Sequence, residues 1–167
     1  MQQTDRYHSP LGMLLLTAED GALTKLAFAS TLRAAADSPT ICSHGTLPPL
    51  KAAKHWLDLY FSGEVPDFQV PMRPKGTAFQ TAVWQILMTI PYGETKTYGE
   101  IAAQIAAQRG VQKMSSQAVG GAVGRNPIAI LIPCHRVLGA NHALTGYSGG
   151  LDKKTALLTL EGIPFRG

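Results

Sequence analysis

The chain reads as an α/β protein in two parts. A small N-terminal α/β domain spans residues 1–74, and a mainly helical C-terminal domain carrying a helix-turn-helix spans 75–167. Three observations predict this. Short apolar runs joined by a turn open the chain, and a single amphipathic helix follows them. Two short, capped helices stand close together between residues 97 and 124. The charge also changes sign between the halves: residues 1–74 hold six Lys/Arg and seven Asp/Glu, whereas 75–167 hold nine and four.

The bulk composition bounds the rest. With 45% hydrophobic residues in 167 and a mean hydropathy of +0.02, the chain can bury a real core. Its two cysteines, Cys42 and Cys134, are far apart and form no Cys-x-x-Cys, which suits a reducing compartment. Residues 1–9 are polar with no signal-like core, and no apolar run reaches membrane length. A cytoplasmic protein with no membrane partner is expected. The net charge of +4, concentrated in the second half, suits a polyanion such as nucleic acid, or equally a merely basic solvated surface.

In chain order, residues 13–17 and 22–28 are strand-like, and Glu19-Asp20-Gly21 between them makes a hairpin turn. Residues 31–47 form a mixed connector. Pro48-Pro49 starts a helix to about residue 61, with Leu50, Ala53, Trp56, Leu57 and Tyr60 on one stripe. Residues 65–74 hold three prolines and read as an extended crossing. Phe79, Val83, Ile86 and Leu87 define the next helix, and Pro91-Tyr92-Gly93-Glu94 a turn. Thr97 and Glu100 have capping-box spacing for a helix over 98 to about 106. After a polar connector, Ser115 or Ser116 caps a second helix over 117 to about 124. Its Ala118-Val119-Gly120-Gly121-Ala122-Val123 is small and smooth, although each interior glycine costs roughly 1 kcal/mol. Either it packs tightly inside the protein or it approaches a DNA groove. With few long polar side chains, it fits minor-groove, sequence-independent contact.

Asn126-Pro127 ends that helix; Asn126 either bonds the local backbone or is an ordinary turn residue. The apolar run 128–132 then stops at Pro133, followed by Cys134, His135 and Arg136. A thiol flanked by an imidazole and a guanidinium is expected to have a lowered pKa and to act as a nucleophile, rather than as a small buried hydrophobe. The loop Thr145-Gly146-Tyr147-Ser148-Gly149-Gly150 either wraps a flat ligand with its backbone or is only a turn. A last helix covers 152–160. Glu161 stands at its C-terminal end, where the helix dipole disfavours an anion. It is either exposed or held by a partner, with His135 the obvious candidate.

These residues together resemble the O6-alkylguanine-DNA alkyltransferase family. The resemblance rests on Pro133-Cys134-His135-Arg136-Val137, with Asn126-Pro127 ahead and Gly146-Tyr147-Ser148-Gly149-Gly150 behind. Gly76-Thr77-Ala78-Phe79, Val83-Trp84, Pro91-Tyr92-Gly93-Glu94, Tyr98-Gly99-Glu100 and Leu157-Leu158-Thr159-Leu160-Glu161-Gly162 extend it from residue 76 to 162. The first 75 residues match weakly, through Ser9-Pro10-Leu11-Gly12, and the resemblance implies an RNase H-like fold for them.

The resemblance implies a function and a set of roles. An O6-alkylated guanine in double-stranded DNA is flipped into a pocket and gives its alkyl group irreversibly to Cys134, once per molecule. His135, reached through water, takes the thiol proton, and Glu161 holds its tautomer. Tyr98 donates to guanine N3, the Ser148 N–H to O6, and the Cys134 and Val137 carbonyls accept from the exocyclic amine, with Tyr147 lining the pocket. Asn126 is the hinge between the helix-turn-helix and the Cys segment. Gln117, Ala118, Gly120, Gly121 and Arg125 face DNA. At Gln117 the family's usual intercalating Arg is replaced, which implies weaker extrahelical stabilisation. No cofactor and no zinc are implied, and the protein is expected to be a monomer that can cluster on DNA. A non-catalytic alkyltransferase-like binder, a transcription regulator and a thiol hydrolase are the rival readings; each leaves Cys134, His135 and Glu161 or the glycine-rich helix unexplained.

Overall fold

The computed structural model describes residues 2–29, 47–145, 147 and 150–166. The chain forms two compact units: residues 1–75 with Pro127–Ala129, and Gly76–Asn126 with Ile130–Gly167. Cys42, most of the 31–47 connector, and Gly146, Ser148 and Gly149 of the glycine-rich loop lie outside the described residues.

The first unit is a sheet covered by one helix. Strands β1 (Gln2–Ser9), β2 (Gly12–Glu19) and β3 (Ala22–Phe28) form an antiparallel meander. Asp20 and Gly21 both have positive φ, 50° and 82°, and connect Glu19 to its partner Ala22. Two consecutive left-handed residues are what a tight type I′ hairpin requires. Strand β1 is not apparent in the sequence, because Gln-Gln-Thr-Asp-Arg-Tyr-His-Ser has no apolar alternation. Its buried residues are polar but partnered: the Thr4 and Thr17 hydroxyls lie 2.9 Å apart, and Asp5, on the other face of the strand, pairs with Lys54. Helix α1 (Pro48–Phe61) packs on the sheet through Leu50, Ala53, Leu57 and Tyr60. Trp56 of the expected stripe is only half-buried and stacks on Tyr60 at 5.3 Å.

The free edge of β3 is completed by two short segments. Leu23 N–H donates to Pro71 O and Arg73 N–H to Leu23 O, both at 2.8 Å. Leu26 N–H donates to Pro127 O and Ala129 N–H to Leu26 O, both at 2.9 Å. Each segment thus uses its proline only as an acceptor, which is all that residue offers a ladder. Residues 65–74 are therefore extended, as their prolines suggest, but their end pairs with the sheet. Nothing in the sequence signals the long-range pairing of Ile128 with Leu26.

The second unit is mainly helical. Helix α2 (Ala78–Leu87) starts at a Thr77–Gln80 capping box and buries Val83, Trp84, Ile86 and Leu87. Strand β4 (Lys96–Thr97) leads into α3 (Tyr98–Arg109), where Thr97 and Glu100 cap reciprocally as expected. Helix α3 runs three residues past its expected end, because Gly110 (φ 66°) serves as its left-handed C-cap rather than as part of a loop. Helix α4 (Ser116–Gly124) is capped by Ser115, whose hydroxyl accepts from Ala118 N–H at 3.2 Å. Trp84 Nε1 donates to Ala122 O at 2.9 Å, fixing α2 against α4. Strand β5 (Val137–Leu138) runs parallel to β4, and α5 (Leu151–Leu160) closes the unit. Among the described residues no helix is long and apolar enough to cross a membrane.

Candidate active site

Backbone geometry presents the cysteine. Pro133 (φ −79°, ψ 66°) sits in an inverse γ-turn closed by Cys134 N–H donating to Ile132 O at 2.8 Å. Asn126 Nδ2 donates to the same Ile132 carbonyl at 2.8 Å, so the end of α4 is tied to the turn. Upstream, buried Ile130 has φ 70°, a costly conformation for a β-branched residue. A 3₁₀ turn, Cys134–Arg136, follows and runs into β5. Because β5 pairs with β4, the next residue after β4, Tyr98, is anchored near this turn.

All three residues of the turn are buried. His135 Nε2 lies 2.6 Å from Glu161 Oε2. Arg136 donates Nε to Glu161 Oε1 at 2.8 Å and Nη2 to Oε2 at 3.2 Å; its Nη1 donates to Ile90 O at 2.7 Å. Gly93, with φ 82° at the third position of the Pro91–Glu94 turn, adds its N–H to Glu161 Oε1 at 3.0 Å. Burial alone would raise the Glu161 pKa, but hydrogen bonds and charge from His135 and Arg136 bring it down to about 2. Burial lowers the His135 pKa, against the pull of Glu161, so the imidazole is neutral near pH 7. An ionised carboxylate only accepts. His135 therefore carries its proton on Nε2, and Nδ1 keeps the basic lone pair. The arrangement can accept a proton at Nδ1 while the carboxylate stabilises the imidazolium that forms.

The thiol itself departs from expectation. Burial pushes the Cys134 pKa above the ordinary 9.0, although Asn126, Tyr147 and the Lys154 charge all favour the thiolate. The lowered thiol pKa expected from adjacent His135 and Arg136 is not found. Sequence adjacency is misleading here, because the Arg136 guanidinium is spent on Glu161 and Ile90 O. Cys134 therefore rests as a thiol at neutral pH.

The other expected residues fall as follows. Tyr98, at the start of α3, has its hydroxyl 2.9 Å from Thr145 Oγ1. The Val137 carbonyl already accepts from Lys154 Nζ at 2.7 Å, and a carbonyl's second lone pair stays available. Tyr147 is half-buried, and Ser148 lies outside the described residues. On α4, Val119, Ala122 and Val123 are buried, whereas Gln117, Ala118 and Gly121 are exposed, as is Arg125 at its C-cap. Gln117, Gly121 and Arg125 are four apart and share a face. A Cβ on Gly120 would sit 3.8 Å from the Tyr98 ring, and one on Gly121 3.6 Å from Arg125 Nη1. Both are ordinary contacts, so internal packing does not require these glycines. Among the described residues no group of three or more His, Cys, Asp or Glu is placed to hold a metal ion.

Sequence reasoning missed Lys154. It is fully buried, and its ammonium donates to Val137 O (2.7 Å), Thr145 Oγ1 (3.1 Å) and Thr145 O (3.3 Å). Burial lowers its pKa to about 8, with Cys134 opposing. The available signal was its spacing: Lys154 shares an i, i+3, i+4 stripe with Leu157 and Leu158, where a leucine would be expected.

Residues 5–74 match the family model described as the 6-O-methylguanine DNA methyltransferase ribonuclease-like domain, and residues 78–163 the one described as its DNA binding domain. The chain belongs to the 6-O-methylguanine DNA methyltransferase family. The methylated-DNA–protein-cysteine methyltransferase of Haemophilus influenzae is 44% identical over 95% of this chain and 86% of the relative. The O6-methylguanine methyltransferase of Mycobacterium tuberculosis superposes with a TM-score of 0.82 at 43% identity, covering 96% of this chain and 93% of that one. The same organism's OGT, solved in complex with DNA, gives a TM-score of 0.80 at 43% identity over 95% and 92%.

Proposed function

We propose that the chain performs direct DNA repair by transferring the alkyl group of O6-alkylguanine in duplex DNA to Cys134, once and irreversibly. The observation that carries this is the buried Cys134 turn beside a neutral His135 whose tautomer is set by Glu161. The Cys134 proton passes to His135 Nδ1 through water, the thiolate sulfur forms a bond to the alkyl carbon, and the carbon–O6 bond breaks. Guanine departs with the bond's electrons, and Tyr98, donating to N3, and the Ser148 N–H, donating to O6, stabilise the charge it gains. The Cys134 and Val137 carbonyls hold the exocyclic amine, Tyr147 lines the pocket, and Asn126 fixes the turn.

Helices α3 and α4 act as a helix-turn-helix, with α4 against the minor groove through Gln117, Ala118, Gly120, Gly121 and Arg125. The open glycine face supports this, because packing inside the protein does not need it. Gln117 fills the gap left by the extruded base. The N-terminal unit is RNase H-like, and the protein works as a cytoplasmic monomer that can cluster on DNA. The test is the intact mass after mixing with a duplex carrying one O6-methylguanine. One methyl per molecule, localised to Cys134, is the expected result; multiple turnovers or an unchanged mass reject the proposal.

A further inference from the structure

Lys154, Thr145 and Tyr98 form a hydrogen-bonded chain whose direction is set at one end. An ammonium has three donors and no acceptor. All three Lys154 N–H groups are used, one of them on Thr145 Oγ1 at 3.1 Å. Thr145 Oγ1 therefore accepts from Lys154 with one lone pair, and its own proton is within reach of its other neighbour, the Tyr98 hydroxyl at 2.9 Å. If Tyr98 oxygen accepts that proton, the phenolic hydrogen cannot also point at Thr145.

We infer that Thr145 is a positioning residue for the transfer reaction: held by the Lys154 ammonium, it donates to the Tyr98 hydroxyl and so turns the phenolic hydrogen toward the guanine ring nitrogen that gains charge. This rests on the reading of Tyr98 as the N3 donor. Hydrogen bonds in series polarise one another, so a chain starting at a buried cation makes Tyr98 a stronger donor than an isolated phenol. The arrangement also makes use of a lysine that would otherwise be a costly occupant of an apolar stripe.

The test compares Thr145→Val, Thr145→Ser and the unaltered protein by single-turnover transfer at saturating protein and pH 7, where Lys154 keeps its proton. Two duplexes are used: one with O6-methylguanine, and one with O6-methyl-3-deazaguanine, which lacks the N3 acceptor. On the natural base, Thr145→Val slows transfer about tenfold with unchanged duplex affinity, the size of one lost hydrogen bond to developing charge, and Thr145→Ser restores the rate. On the deaza base, Thr145→Val and the unaltered protein react at the same rate. An equal Thr145→Val slowing on both bases overturns the inference, because a general structural role does not depend on N3. If the unaltered protein reacts equally fast with both bases, the Tyr98–N3 reading fails and takes this inference with it. Should Thr145→Val not fold, Thr145→Ala is read by the same criteria.

Discussion

Replacing Glu161 with Gln probes the centre of the site with little change of shape. The amide keeps one acceptor oxygen for Arg136 or Gly93, but it removes the charge that both His135 and Arg136 use. The ordinary glutamate pKa is 4.5 and that of Glu161 is about 2. At about 1.4 kcal/mol per unit, the folded state favours the carboxylate by about 3 kcal/mol. The Glu161 pKa is depressed on folding, so this stability is fully present above pH 4.5 and is lost as pH falls through about 2. Glu161→Gln should therefore lower unfolding free energy at pH 7 by about 3 kcal/mol, in line with breaking one partner of a buried ion pair. The gap between the two proteins should close between pH 4.5 and 2. His135 adds a loss shared with other buried neutral histidines: below its ordinary 6.5 the unfolded chain takes up a proton that the folded chain resists. Urea unfolding followed by tryptophan fluorescence across this range measures both effects. Because the amide can also present N–H to Nε2 and force the proton onto Nδ1, single-turnover transfer should fall about 10²-fold. A variant within about 0.5 kcal/mol of the parent at pH 7 that keeps its transfer rate would refute the role given to Glu161.

Other outcomes follow from the same geometry. In a Cys42→Ser background, the pH midpoint for alkylation of Cys134 by iodoacetamide should lie above 9.0, and a midpoint below that would contradict a thiol raised by burial. Gly121→Ala should raise stability by up to about 1 kcal/mol, since the added Cβ meets only ordinary contacts, while weakening duplex binding measured by fluorescence anisotropy. Gln117→Arg should increase duplex affinity by adding a phosphate-attracting charge to the exposed face of α4, with a steeper salt dependence as the check. Arg136→Lys should cost about 2 kcal/mol in urea unfolding, because a lysine cannot span both Glu161 oxygens and Ile90 O together.

The legible parts were those written in local chemistry. The helix over 48–61 follows from apolar periodicity, the α3 start from Thr97 and Glu100, and the hairpin from Asp20-Gly21, each within a few residues of its cause. Strand β1 was missed because its burial is polar and depends on Lys54, 49 residues away. At the site, the Glu161–His135 pair could be anticipated, since an acid at a helix C-terminus needs a partner. The use of Arg136 by Glu161 and the elevated thiol pKa could not, because adjacency along a chain says little about side-chain direction in a 3₁₀ turn. Lys154 was hidden in the same way: its role depends on Thr145 and Val137, which reach it only through the tertiary fold.

The three residues Pro127–Ala129 have a practical consequence. A fragment beginning at Gly76 would contain every residue proposed for the transfer, yet it would carry these residues away from the β3 backbone that receives them. Fully buried Ile128 would face water at a loss of roughly 2 kcal/mol, and Leu26 would be left with an open edge on the other fragment. The gene has no clean seam at the linker: domain shuffling, truncation or recombination there would leave both products unfinished.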